Sequence, residues 1–155
     1  MENIDRKEEF RKIFSANDLM EYMDTYITYG WVSKMGEKNV NTLEGMNMKY
    51  KVNSLEKVME TGLGTCIEQA KLINYFFSNC GYQTHVYSSR YYKGEEEKWY
   101  MHCFVLIEVG EKIMYFEHSN PDLKGIYYFD SIDEALTYIE NGLKKVEGRR
   151  ITEVD

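Results

Sequence analysis

Proline, histidine and cysteine are scarce in this chain, and no stretch is long and apolar enough to cross a bilayer. With a single proline, Pro121, and no low-complexity run, the chain has no Pro-rich or low-complexity linker. No internal repeat breaks the chain into units. A length of 155 residues with 43% hydrophobic and 29% charged side chains predicts one domain over residues 1–155, with a true core. No window approaches 18 uncharged apolar residues, so a membrane-spanning helix is not expected. The charged opening MENIDRKEEF lacks the apolar stretch of a secretory signal. Cys66, Cys80 and Cys103 are odd in number, widely spaced and without a CxxC pair, which excludes a disulfide framework and argues against a structural zinc site. That usage predicts a cytoplasmic protein with no metal, and with no cofactor motif visible in the chain no cofactor is expected. The net charge of −7, with Lys and Arg scattered among acids, predicts neither a nucleic-acid partner nor a membrane surface, and leaves oligomeric state open.

Aromatic residues are what the chain has in plenty: 14 Tyr, 7 Phe and 2 Trp. Such rings fill cores and line clefts. The first third reads as helical: a short charged helix over 3–14, then a helix capped by Ser15 or Asn17 and carrying Leu19, Met23, Tyr26, Ile27 and Gly30 at helical spacing. Residues 33–53, with Gly36, Gly45 and several Asn, read as loop. Asn53 or Ser54 caps a short helix to Glu60. Thr65-Cys66-Ile67-Glu68 is a capping box, and Ile67, Ala70, Ile73, Phe77 and Cys80 continue as a helix that Gly81 ends. The period then changes to two. Strands are predicted over 82–92, 99–109 and 112–118, with a fourth over 126–129, and a last helix begins at the Ser131–Glu134 capping box. Helices, then an antiparallel sheet, then a helix make an α+β fold.

Thiol catalysis needs a thiolate, a base and a group that orients the base. Cys66 follows a capping Thr at a helix start, where amide dipoles lower a thiol's pKa and can stabilise an oxyanion. Without its neighbours, the same residue reads equally well as a small apolar side chain buried at a helix start. Alternation places Tyr100, His102, Phe104 and Leu106 on one strand face, with Cys103 on the other. A hairpin turning at Gly110-Glu111, or one residue earlier, sets His102 opposite Ser119 or Glu117; either way Glu117 shares its face. A carboxylate there holds an imidazole in one tautomer.

Gly64-Thr65-Cys66-Ile67-Glu68-Gln69-Ala70, Gly81-Tyr82, His102-Cys103-Phe104-Val105 and Phe116-Glu117-His118-Ser119, in that order, resemble the transglutaminase-like superfamily, and the segment from Tyr50 to Met59 is similar to the stretch that precedes its cysteine motif. The resemblance covers about residues 50–120. It implies a papain-like fold, with the nucleophile at the start of a helix packed on an antiparallel sheet. The implied chemistry is a Cys-His-acid triad that forms a thioacyl enzyme on a protein or peptide substrate. Carried over by position, Cys66 is the nucleophile, His102 the base and Glu117 the acid, where the family has Asp. His118, Ser119 or Asn120 stand near enough in sequence to assist Glu117 or substitute for it, and His118 and Ser119 are also oxyanion or substrate candidates. Gln69 is an oxyanion candidate set against a helix-surface amide, and Trp31 one set against a core tryptophan. A zinc set of Cys66, His102 and His118 has no close ligand pair behind it. Tyr91-Tyr92 and Trp99-Tyr100 either rim a groove or pair across a hairpin.

Hydrolysis, deamidation and transamidation share the first step. A catalytically inactive binding module on the same fold is the main competitor. An acetyl-type transferase on the same triad needs a thioester cofactor for which no separate motif is visible, and ranks below both.

Overall fold

The computed structural model describes residues 5–42, 46–143 and 149–154; Gly45 and the start of the expected first helix lie outside them. The backbone divides into two compact units, residues 1–69 and 70–155. The secondary structure is α+β, as the period changes along the chain predict.

In the first unit, α1 (Arg6–Arg11) is capped by the Asp5 carboxylate, which accepts the amides of Lys7 and Glu8 at 3.0 and 3.3 Å. Helix α2 (Ala16–Tyr26) is capped by Ser15, whose Oγ accepts the Asp18 amide at 3.1 Å, and it buries Leu19, Tyr22 and Met23. The helical spacing runs on to Gly30, but the helix stops at Tyr26 and Thr28–Val32 is a strand, β1. Non-local pairing overrides the local period. Strand β1 pairs antiparallel with β2 (Lys38–Val40) and parallel with β3 (Leu63–Gly64). A Cβ at Gly30 would stand 2.6 Å from the Asn39 carbonyl oxygen, so β1 and β2 approach closely only because this residue has none. The stretch 33–53, expected to be loop, contains β2, a short helix α3 (Met46–Lys49) and a bridge between Ser33 and Tyr50. Helix α4 (Leu55–Thr61) is capped by Ser54, as expected, and ends at Gly62 in the left-handed region at φ +72.

Helix α5 (Cys66–Asn79) starts in the first unit and continues into the second, where it buries Ala70, Leu72, Ile73, Phe76 and Phe77. The second unit is built on a sheet of order β7-β6-β5-β4-β8. Its strands are β4 (Gln83–Lys93), β5 (Lys98–Val109), β6 (Lys112–Glu117), β7 (Gly125–Phe129) and β8 (Arg150–Val154), all antiparallel neighbours. Strand β8 adds an edge that the periodicity did not announce. The β5–β6 hairpin turns at Gly110-Glu111, with Val109 facing Lys112. One face of the sheet, carrying Tyr87, Phe104, Leu106 and Tyr115, forms a core with Ala135 and Ile139 of α6 (Ile132–Gly142). On the other, Phe116 meets Phe77 of α5 edge-on, ring centroids 5.8 Å apart. Both faces are therefore covered, which is why β5 reads as a nearly continuous apolar run from Cys103 to Ile107, buried throughout.

Among the described residues no helix is long and apolar enough to cross a membrane.

Candidate active site

The start of α5 is built as the capping box requires. Glu68 accepts the Thr65 amide on Oε1 at 3.0 Å, and Thr65 Oγ1 accepts the Glu68 amide at 3.4 Å. Cys66 is the first helical residue between them and is 9% exposed. Glu68 is fully buried, and its second oxygen accepts the Asn53 amide at 2.7 Å. Tyr50 Oη and Thr65 Oγ1 share a hydrogen bond at 2.9 Å. Burial pushes the Tyr29 phenol up to about 12, with the charge of Cys66 and then of Glu68 adding to it. Tyr50 is pushed up as well, first by burial; Thr65's hydrogen bond opposes the rise, and the charges of Glu68 and Cys66 add to it. Two phenols that stay protonated thus lie within electrostatic reach of the cysteine.

Gln69 is not on the helix surface. It is 1% exposed, and its Nε2 donates to the Gly64 carbonyl oxygen at 2.9 Å, so the amide folds back on the turn before the helix. Trp31 is buried in β1; its Nε1 donates to the Thr42 carbonyl oxygen at 3.0 Å and its ring meets Tyr50 edge-on. Both side chains are committed to their own surroundings through these donors.

In the second unit, the register of β5 and β6 pairs Val105 with Phe116 and Leu106 with Tyr115, which continues to His102 opposite Ser119. Glu117 is then diagonal to His102 on the same face, and its Oε1 accepts from His102 Nε2. Glu117 is 2% exposed and His102 8%. Three more donors converge on the carboxylate: Tyr115 Oη on Oε1 at 2.6 Å, and the Ser119 amide and Oγ on Oε2 at 3.1 and 3.2 Å. Burial alone would push the Glu117 carboxyl up, but the bonds from His102, Tyr115 and Ser119 and the His102 charge outweigh it and hold the group below its ordinary value. An ionised carboxylate only accepts, so Nε2 carries the proton and the lone pair of the neutral ring lies on Nδ1. The His102 ring stacks on Phe104, centroids 6.0 Å apart. Such a pair can take a proton at Nδ1 and stabilise the imidazolium that results.

Ser119 therefore donates to the Glu117 carboxylate through both its amide and its hydroxyl, and His118 lies one residue beyond the end of β6. Tyr115 stands outside the residues that the sequence points to; it lies two residues before Glu117 on the same strand face, where its hydroxyl meets the carboxylate. Tyr91 and Tyr100 pair across the β4–β5 hairpin, their rings stacked 5.1 Å apart; the side chain of Trp99 lies outside the described residues. Among the described residues no group of three or more His, Cys, Asp or Glu is placed to hold a metal ion. Cys66, Cys80 and Cys103 are in no disulfide; Cys80 is exposed and Cys103 buried.

No family model and no curated protein matches the chain. Among solved structures it is similar to arylamine N-acetyltransferase C from Bacillus anthracis, with 20% identity, a TM-score of 0.46, and coverage of 76% of this chain and 49% of that one. It is also similar to the (BACCR)NAT3 arylamine N-acetyltransferase from Bacillus cereus, described as having a unique Cys-His-Glu catalytic triad, with 18% identity, a TM-score of 0.45, and coverage of 74% and 49%. The chain spans about half the length of these solved structures.

Proposed function

We propose that the chain is a cysteine-dependent acyl-transfer enzyme, an amide hydrolase or acyltransferase, acting on a protein or peptide substrate in the reducing environment of the cytoplasm. The observation that supports this most is the buried His102–Glu117 pair, with four donors on the carboxylate and the lone pair left on Nδ1. A histidine used only for packing has no need of an ionised, fully satisfied carboxylate behind it.

In the proposed reaction His102 Nδ1 takes the Cys66 proton and the thiolate attacks the acyl carbon. An S–C bond forms, and the oxyanion collapses with loss of an amine that receives the proton from the imidazolium. The thioacyl enzyme is then attacked by water, giving an acid, or by an amine, giving a new amide; His102 removes the proton from either nucleophile, the C–S bond breaks, and the proton returns to the Cys66 sulfur. Cys66 stands at the start of α5, where a helix dipole favours a thiolate over a thiol. Glu117 holds the ring and balances its charge.

Iodoacetamide at neutral pH tests the nucleophile. Exposure alone favours Cys80, since Cys66 is only 9% exposed. Faster alkylation of Cys66, slowed about tenfold or more by His102→Ala, supports the reading. Slow, equal labelling of all three would leave the binding-module reading in its place. A panel of peptide amides and acyl thioesters, with water, alkylamines and arylamines as acceptors (the last being the class named for the Bacillus neighbours), then separates hydrolysis from transfer. Mass spectrometry of an acyl adduct on Cys66 is the readout.

A further inference from the structure

A glutamate has one more rotatable bond than an aspartate, so a buried Glu117 must be held at more than its root to present one oxygen to one nitrogen. The donors that hold it come from two directions. Tyr115 and His102 both bind Oε1, while the amide and hydroxyl of Ser119 bind Oε2. Tyr115 is fully buried, and its ring is set by Phe104 edge-on at 5.9 Å and by Tyr127 stacked at 5.7 Å. Phe104 in turn stacks on the His102 ring. One aromatic ring thus touches both the base and the tyrosine that binds its acid.

We propose that Tyr115 is a positioning residue for His102: acting through Glu117, and with Ser119 on the other oxygen, its hydroxyl fixes the carboxylate so that His102 is held in one orientation and one tautomer. This rests on the acyl-transfer reading in giving His102 the part of the base. The Tyr115 phenol is suited to the task because burial, and then the charge of Glu117, raise it well above its ordinary value, so it remains a donor at every working pH. The contrast inside the same sheet is His85. Its Nδ1 and Nε2 bind Glu153 and Glu108 at 2.6 and 2.9 Å, and both acids are substantially exposed, with side chains 51% and 41% accessible. A ring engaged at both nitrogens by carboxylates has no lone pair to offer. Among the described residues His102 has a carboxylate on one nitrogen only, and that carboxylate is itself held by the core.

Tyr115→Phe keeps the ring and deletes the donor. Two readouts need neither Cys66 nor a substrate: the carboxyl ¹³C titration of Glu117 and the ring ¹⁵N shifts of His102. With one of four donors gone, the Glu117 midpoint is expected to move up by about one pH unit. The ¹⁵N shifts of the neutral His102 ring should move from those of a single Nε2–H tautomer toward an average of both. Any acyl transfer should show a kcat lower by about tenfold, an unchanged KM and an acid limb moved to higher pH. An unmoved Glu117 midpoint with unchanged His102 ring ¹⁵N shifts in a folded Tyr115→Phe variant overturns the proposal. If that variant fails to fold, a fluorinated tyrosine at position 115, a stronger donor of nearly the same shape, should lower the Glu117 midpoint; no movement overturns the proposal equally. The two readings separate cleanly. A shifted Glu117 in a chain whose Cys66 forms no acyl adduct upholds the positioning and removes the acyl-transfer reading, and an active enzyme with an unmoved Glu117 does the reverse.

Discussion

Thr65 and Glu68 bind each other's amides across the first turn of α5, at 3.4 and 3.0 Å, and Cys66 is enclosed between them. The pair does more than begin a helix, because the second oxygen of Glu68 also takes the amide of Asn53. One buried carboxylate thus ties the segment before α4 to the start of α5. Glu68→Ala would strand the buried amide of Thr65 and the half-buried amide of Asn53, and a loss of about 2–4 kcal/mol is expected. Glu68→Gln keeps one acceptor and should lose roughly half of that. Urea unfolding of the three proteins checks the order; a Glu68→Ala variant as stable as the parent would mean that water replaces the carboxylate.

Glu117 gives a second test, in acid. Its native value lies below the ordinary 4.5, so its contribution to stability is present above the unfolded value and is lost as pH falls through the lower native one. Glu117→Gln brings an amide that cannot accept the same set of donors. It should cost about 3 kcal/mol at pH 7, in the range for breaking a buried pair. The deficit should shrink as pH falls below 4.5, because the parent then protonates its own Glu117. Melting temperatures of both proteins across that interval decide it, and parallel curves would count against an ionised Glu117.

The second unit was largely legible because its signals are local. Alternation marked β4, β5 and β6, Gly110 with Glu111 marked the turn, and these placed Glu117 on the face of His102. The Ser131 cap was legible too, although Glu134 reaches the amide of Asp130 rather than that of Ser131 itself. The first unit was less so. Strand β1 exists through partners far along the chain, Tyr29 facing Gly64 and Gly30 facing Val40, while its own residues continue the helical spacing of α2. Tyr115 was hidden for another reason: a strand tyrosine ordinarily fills a core, and only the position of its hydroxyl against Glu117 reveals a second task.

Gly62 is a position where the backbone leaves little choice. It ends α4 at φ +72, and a Cβ there would stand 2.7 Å from the Tyr26 carbonyl oxygen and 2.8 Å from Arg6 Nε. Arg6 is held in that space by bonds to the Tyr26 and Glu60 carbonyl oxygens at 3.1 and 3.2 Å. Gly62→Ala therefore combines left-handed strain with displacement of the arginine, and a loss of about 2 kcal/mol or more is expected. Arg6→Ala should relieve part of the steric penalty, so the double variant should be less damaged than the sum of the singles. A thermal-melt cycle measures this, and strict additivity would show that strain alone accounts for the loss.

His85 predicts a pH dependence of opposite sign. Its value is raised above 6.5, chiefly by the bond to Glu108 against the opposing effect of burial, with Glu153 adding to it. A raised cation contributes stability that is full below its unfolded value and is lost as pH rises through the native one. Because both acids are exposed, the contribution should be below about 1 kcal/mol. Glu153 lies on β8, which among the described residues is an edge strand paired to β4 alone, with Val86 facing Val154 and Ser88 facing Thr152. The loss should therefore appear as local opening rather than as global unfolding. Amide exchange across the β4–β8 ladder, corrected for the intrinsic rate, should quicken relative to that of the β4–β5 ladder as pH rises from 6.5. In His85→Gln, which cannot titrate, that ratio should stay constant with pH. A ratio that still rises in the variant would assign the edge's pH dependence to another group.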